Sequence, residues 1–374
     1  MKRVLVPAAA AVFILCILVQ ALTGCSRGPF RFGFVGGLTG KMSDLGISGR
    51  NSLQLAIETI NEAGGIDGRR VSLITADDKN DPEAAGQAVR DLISRDADII
   101  IGHMVSSMTL HTVPIVNKHR ILMVSPTTST PLLSGKDDYF LRVIPENTGR
   151  IADMVDYITR HRDCHRFAGV IDTANESYTG PWWESFTGLY ASAERKLVHE
   201  QFYSSTGEVD YAGIISQAAA ATPDCIVITA NAFDTAMFCQ QIEKQGIPAH
   251  IVASGWAMTE DLIRYGGKAV EGLIFSATPE PDSSAEDWLR FEEAYIGRYG
   301  EKPDFAAINT YDAAMIVRRA YSEKKRDEPL KDAIIRIRSF DSLQGTVTIN
   351  RFGDAEKEYH IIAVKDGAFI RQRR

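Results

Sequence analysis

The sequence predicts an α/β protein built as two units, each a parallel sheet covered by helices on both faces. Short, nearly continuous apolar runs alternate with segments of helical period along most of the chain. The alternation falls into two series, one from Phe32 to Val143 and one from about Thr148 to Ser276. The length, 374 residues, suits two domains that each bury a core. Apolar residues are 45% and charged residues 24% of the chain, which excludes a disordered or polytopic membrane protein.

The chain opens with an address rather than a strand. Lys2 and Arg3 give a basic head, and residues 4–22 are apolar apart from Pro7 and Gln20. Small residues then precede Cys25, the layout of a secretion signal over residues 1–24. A transmembrane anchor is the other reading of the same run. Leu22-Thr23-Gly24-Cys25 resembles the bacterial lipoprotein box, which implies cleavage before Cys25 and lipid on that cysteine. On either reading the working chain lies outside the cytoplasmic membrane.

In the first series, a strand at 32–35 ends on Gly36-Gly37. A helix at 48–63 sets Leu53, Ala56, Ile57 and Ile60 on one face and stops at Gly64-Gly65. A strand follows at 71–76. Asp81-Pro82-Glu83 starts a helix to about 94, with Asp81 as cap and Pro82 in the first turn. Strands at 98–102, 121–124 and 139–143 and a helix ending near His119 complete the series. In the second, helices at 149–161, 180–196, 210–220 and 234–245 alternate with strands at 167–171, 197–203, 226–229, 250–253 and 273–276. The remainder reads as helices at 284–299, 305–323 and 329–338 and strands at 346–349 and 359–364. In such sheets ligands bind beyond the carboxyl ends of the strands. Those loops are 36–48, 103–107, 125–131, 172–180, 229–234 and 254–259.

Several chemistries lack their motifs. The net charge of −7, with no basic block, argues against a nucleic-acid partner. The run from Gly36 to Lys41 is one residue short of a phosphate loop, and Met42 stands where Ser or Thr would bind magnesium. No dinucleotide fingerprint follows the first strand, and no nucleophile elbow occurs. His161, Asp163, Cys164 and His165 lie among Arg160, Arg162 and Arg166, which suits a solvated helix end better than a metal site. His103, His111 and His119, eight apart, cannot converge from one helix. No cofactor or metal is expected. Of five cysteines, Cys16 leaves with the signal and Cys25 carries lipid, so Cys164, Cys225 and Cys239 remain. Cys225 and Cys239 read as buried small hydrophobes, with a bridge between them the less favoured alternative.

The loops carry a resemblance. Gly36-Gly37-Leu38-Thr39-Gly40 is followed by Asn61-Glu62-Ala63-Gly64-Gly65-Ile66-Asp67-Gly68, Asp77-Asp78 and Asp81-Pro82. Then come Ile101-Gly102-His103-Met104-Val105-Ser106-Ser107, Val124-Ser125-Pro126-Thr127-Thr128-Ser129-Thr130 and, later, Thr310-Tyr311-Asp312-Ala313. This order, over about residues 30–365, resembles the branched-chain amino acid binding proteins of ABC importers. The resemblance implies the type I periplasmic binding protein fold: two Rossmann-like lobes, a three-strand hinge, and a ligand held in the cleft by closure. It places residues 25–147 and 278–356 in lobe 1, and 148–277 and 357–374 in lobe 2. It implies a binding protein, not an enzyme.

The family holds a ligand α-carboxylate in lobe 1, and the matching positions are Ser106, Thr127 and Ser129, with Ser107 beside them. The residues support this separately. Ser106-Ser107 and Ser129-Thr130-Pro131 both read as helix starts, which offer hydroxyls and free amides to an anion. Two simply capped helices are the plain alternative. By resemblance, Thr127 contributes mainly backbone, Leu45 forms an apolar wall, and Tyr178 reaches in from lobe 2. Asn231 replaces a family tyrosine. The family disulfide of lobe 1 is absent, with Asn80 and Val105 at its positions. The acid that pairs a ligand ammonium is also missing from Ser254-Gly255-Trp256-Ala257, the next acid being Glu260. Asp172, Glu176 or Asp234 are the candidate replacements, and Trp256 is a candidate aromatic wall. The expected function is capture of a small carboxylate-bearing ligand, an amino acid or a relative, for an ABC importer. An aromatic acid or amide is the alternative ligand. A sensor or regulatory envelope lipoprotein is the alternative of another class. The expected partners are the ligand, a membrane permease and, through Cys25, the membrane, with the chain a monomer.

Overall fold

The computed structural model describes residues 28–372, so the signal, Cys16 and Cys25 lie outside the described residues. The strands β1 (Phe30–Gly36), β2 (Val71–Asp77), β3 (Ile99–Ile101), β4 (Met123–Ser125) and β5 (Phe140–Arg142) form one sheet. Its order is β2-β1-β3-β4-β5, and every pairing is parallel. Every residue of β3 is buried, as expected of a strand covered on both faces. The covering helices are α1 (Asp44–Glu62), α2 (Pro82–Ser94) and α3 (Ser106–His119). Asp81 caps α2 by accepting from the Ala84 amide at 2.9 Å.

The second sheet starts with β6 (Arg166–Asp172), β7 (Lys196–Tyr203), β8 (Cys225–Thr229), β9 (His250–Ala253) and β10 (Ile274–Ala277), in the order β7-β6-β8-β9-β10 and all parallel. Its helices are α4 (Asn147–His161), α5 (Glu176–Tyr190), α6 (Tyr211–Ala220), α7 (Ala232–Lys244) and α8 (Glu260–Gly266). The chain then returns to the first lobe through α9 (Glu286–Tyr299), α10 (Phe305–Glu323) and α11 (Leu330–Ile337). The Ser52 hydroxyl of α1 donates to the Ala307 carbonyl of α10 at 2.6 Å, fastening these two helices. A small antiparallel sheet follows, made of β11 (Ser339–Ser342), β12 (Gly345–Ile349) and β13 (Ala355–Glu356). Finally β14 (His360–Lys365) and β15 (Ala368–Arg371) join the edge of the second sheet antiparallel, so that sheet is mixed.

The chain therefore passes between the lobes after β5, after β10 and between β13 and β14. The last passage is pinned by chemistry. Lys357 and Asp312, both buried, pair at 3.0 Å, and the other Asp312 oxygen accepts from the Leu343 amide at 2.9 Å. The Thr310-Tyr311-Asp312-Ala313 motif thus sits where the lobes are tied together.

Most helices differ from their expected bounds by a residue or two, and two are displaced further. The one expected at 48–63 begins at Asp44, and the one expected at 180–196 spans 176–190. The latter ends early because Ser192 folds residues 192–195 into a turn, its hydroxyl accepting from the Arg195 amide at 3.1 Å. Cys164, Cys225 and Cys239 are free and buried. The hydrogen-bonding neighbour of Cys225 is Cys164, which pushes the Cys225 thiol well up.

Candidate functional site

The carboxyl ends of the two sheets face each other across the cleft. Between them lies a cavity with about 20 Å³ of free space, room for one water. Lobe 1 supplies Leu45, Met104, Ser106, Thr127, Ser129 and Phe305. Lobe 2 supplies Arg150, Asn175, Tyr178, Gly255 and Trp256. The fold thus brings Leu45, Ser106, Thr127, Ser129, Tyr178 and Trp256 together, although they are scattered over more than two hundred positions.

Ser106 occupies the first turn of α3, where no side chain caps the helix. The Thr127 hydroxyl donates to the Met104 carbonyl at 2.6 Å. Ser129 does not open a helix. Only a three-residue turn, Pro131–Leu133, follows it, and Thr130 caps that turn. Its hydroxyl instead accepts from Arg150 Nη2 at 2.7 Å. On the opposite wall, the Trp256 and Tyr178 rings meet edge to face, 5.9 Å between centroids and 76° between planes. The buried Tyr178 hydroxyl faces the Ser254 hydroxyl and the Trp256 backbone, and burial raises its pKa.

Two expected residues stand outside the cavity. Ser107 fastens the lobes to each other: its amide donates to Asn175 Oδ1 at 3.1 Å, and its hydroxyl accepts from the Ser177 amide at 3.2 Å. Asn231 caps α7, its Oδ1 accepting from the Asp234 amide at 2.9 Å.

None of the candidate acids faces the cavity. Asp172 accepts from the Ala174 and Ser205 amides and from the Ser205 hydroxyl, and burial raises its pKa. Asp234 accepts from the Tyr203 and Tyr211 hydroxyls. Glu176 is exposed, and Glu260 lies on the outer rim.

The charge in the cavity wall is Arg150, which the sequence reading missed. It is 5% exposed, its Nη2 also donates to Asn147 Oδ1, and its Nε has no partner. Among the described residues, no carboxylate pairs with it. A signal was available, because a cation in the first turn of a helix opposes the helix dipole. Asn175 was also missed, although it lies in a loop at a strand end.

The rim closes over this cavity. Thr259 donates to Asp44 Oδ2 at 3.0 Å, Lys41 lies 3.9 Å from Asp234, and Arg264 lies 3.6 Å from Glu301, each across the cleft. Burial pushes Asp44 up to about 6 and Asp304 up to about 7. The glycine loop before Lys41 is tied down by Asp77, which accepts from the Leu38 amide at 2.8 Å and the Thr39 hydroxyl at 2.7 Å. The His161–His165 cluster is split: His165 and Asp163 form an exposed pair while Cys164 turns inward.

Comparison with known proteins decides the family. The family model described as periplasmic binding protein matches residues 29–368. The chain belongs to the periplasmic binding protein family. Members of this family bind solutes rather than transform them. This binding protein is 21% identical to a Leu/Ile/Val-binding protein homolog of Brucella melitensis, over 90% of this chain and 92% of the relative. A leucine binding protein from Thermotoga maritima superposes with a TM-score of 0.84 at 25% identity, covering 92% of this chain and 98% of that one. The substrate binding protein of a branched-chain amino acid transporter from Streptococcus pneumoniae, in complex with isoleucine, has a TM-score of 0.84 at 20% identity, covering 91% and 97%. A solute binding protein of an ABC transporter from R. palustris, in complex with benzoate, has a TM-score of 0.81 at 18% identity, covering 92% and 95%. The α/β fold of two lobes is the one these proteins share.

Proposed function

We propose that this binding protein is the extracytoplasmic solute-capturing component of an ABC importer, and that it holds a small carboxylate-bearing ligand in the cleft by closure of the lobes. One observation carries the reading: the cavity is walled by polar groups from both lobes, so a ligand there touches both only when the lobes are shut. The isoleucine and benzoate complexes of similar proteins support a small carboxylic acid as the ligand class. The three passages between the lobes act as the hinge, and a permease reads the closed form. Lipid on Cys25 tethers the receptor to the membrane, and labelled palmitate should enter the wild type but not Cys25→Ala.

The closure is tested by small-angle scattering of the purified protein. A radius of gyration that falls on addition of a binding acid supports the reading, and a radius that no binding ligand changes speaks against it. The smallness of the cavity favours a second reading, a sensor or regulatory lipoprotein whose cleft is filled by its own Trp256. That reading predicts a scattering profile indifferent to every small acid.

A further inference from the structure

We infer that Arg150 selects the ligand by charge, so that the cleft takes a carboxylic acid lacking the α-ammonium group of an amino acid. This rests on the solute-binding reading above and narrows its ligand class. The argument starts from a cost. A guanidinium withdrawn from water is strongly unfavourable unless an anion meets it. Arg150 is 5% exposed, yet only the neutral oxygens of Ser129 and Asn147 receive its hydrogen bonds. Its Nε is without a partner, and among the described residues no carboxylate is within ion-pairing distance. Such a group in a cavity wall is a receptor for an anion.

The other polar groups point the same way. The buried Tyr178 hydroxyl faces the Ser254 hydroxyl and the Trp256 backbone and lies within the field of Arg150, so among the described residues no carboxylate stands on its side of the cavity either. Two side-chain oxygens of the lining are engaged already: Ser129 Oγ by Arg150 and Asn175 Oδ1 by the Ser107 amide. An amino acid would bring its cation beside the guanidinium and find no carboxylate to offset it. A plain, keto or aromatic acid brings one negative charge to one positive charge. With room for one water between the walls, the body of the ligand displaces Trp256 or holds the lobes slightly apart, and the selection acts on the head group.

The test is calorimetric titration of the purified protein with acids matched in skeleton: propanoate and pyruvate against alanine, 4-methylpentanoate and its 2-oxo derivative against leucine, and benzoate and phenylacetate against phenylalanine. An acid should bind about 100-fold or more tightly than its amino partner. An amino acid that binds as tightly as its matched acid overturns the inference and leaves the receptor reading standing. If no member of the panel binds, both fall. Arg150→Gln should weaken acid binding about 100-fold and shrink the acid-to-amine ratio, while melting without ligand stays level or rises because an unpaired buried charge has gone. Arg150→Lys keeps the charge without the planar fork and should lose about 10-fold while retaining the preference for acids. An acid-to-amine ratio that Arg150→Gln leaves unchanged overturns the inference.

Discussion

Ser129 and Arg150 work as a pair: the hydroxyl fixes one guanidinium nitrogen at 2.7 Å while Nε and the cavity side remain open. Ser129→Ala removes the anchor without creating a large cavity. It should weaken ligand binding about 10-fold by calorimetry and also lower the melting temperature, because a hydrogen bond to a charged group contributes about 1.5–3 kcal/mol to the folded chain. A second expectation concerns Asp44, pushed up to about 6 from the ordinary 3.8, and Asp304, pushed up to about 7. Thr259 and Asp261 face Asp44, and Ser48, Asp44 and Tyr295 face Asp304, with Lys41, Arg264, Glu301 and Lys302 on the same rim. Both carboxyls bind a proton more readily in the closed native chain than in the unfolded one. Their share of stability is absent well above pH 7, grows as pH falls through 7 and 6, and is complete below the ordinary value of 3.8. Part of each side chain still meets solvent at the cleft mouth, which tempers the effect. Asp44→Asn should therefore raise the melting temperature at pH 8 and flatten its rise toward pH 5.5. At this scale Ser106, Thr127 and Ser129, which the fold brings to the cavity, could be picked out because serines and threonines at strand ends are visible in one dimension, whereas Ser107 beside them turns to the other lobe. Arg150 showed only as a cation in a first helical turn, because its place in the cavity comes from a chain crossing that sets a lobe 2 helix start against a lobe 1 loop.

At the scale of elements, α10 is the part that fastens the third passage between the lobes. It begins at Asp304, which caps it by accepting from the Ala307 amide at 2.9 Å, and carries Asp312 to the third crossing. Asp312→Ala leaves Lys357 charged, buried and without its carboxylate, so the expected loss is about 3–5 kcal/mol by denaturant unfolding. Lys357→Met, which removes the opposite charge, should restore part of the loss in the double variant. A double variant no more stable than Asp312→Ala would show that the pair is not what ties the crossing. The long helices and buried strands were legible because their period and apolar runs are strong: the helix expected at 305–323 has those bounds in the structure. Strands β11, β13 and β15 were not, because they are short and held by pairing rather than pattern.

At the scale of the whole molecule, the second α/β series is inserted between the parts of the first, and three passages join them. The alternation of strand and helix announced two sheets, but nothing in one dimension fixed how far the lobes close. That follows from the rim, where Thr259 with Asp44, Lys41 with Asp234 and Arg264 with Glu301 span the cleft. The central claim is that this cleft captures a small carboxylate. The most direct measurement is the melting temperature of the purified protein against rising concentrations of the matched acids, in the wild type and in a variant carrying Ser129→Ala and Arg150→Gln. The account predicts a rise in the wild type worth about 2.7 kcal/mol at one hundred times the dissociation constant, and no rise in the variant over the same range. A wild type that no acid stabilises, or a variant stabilised equally, would contradict it.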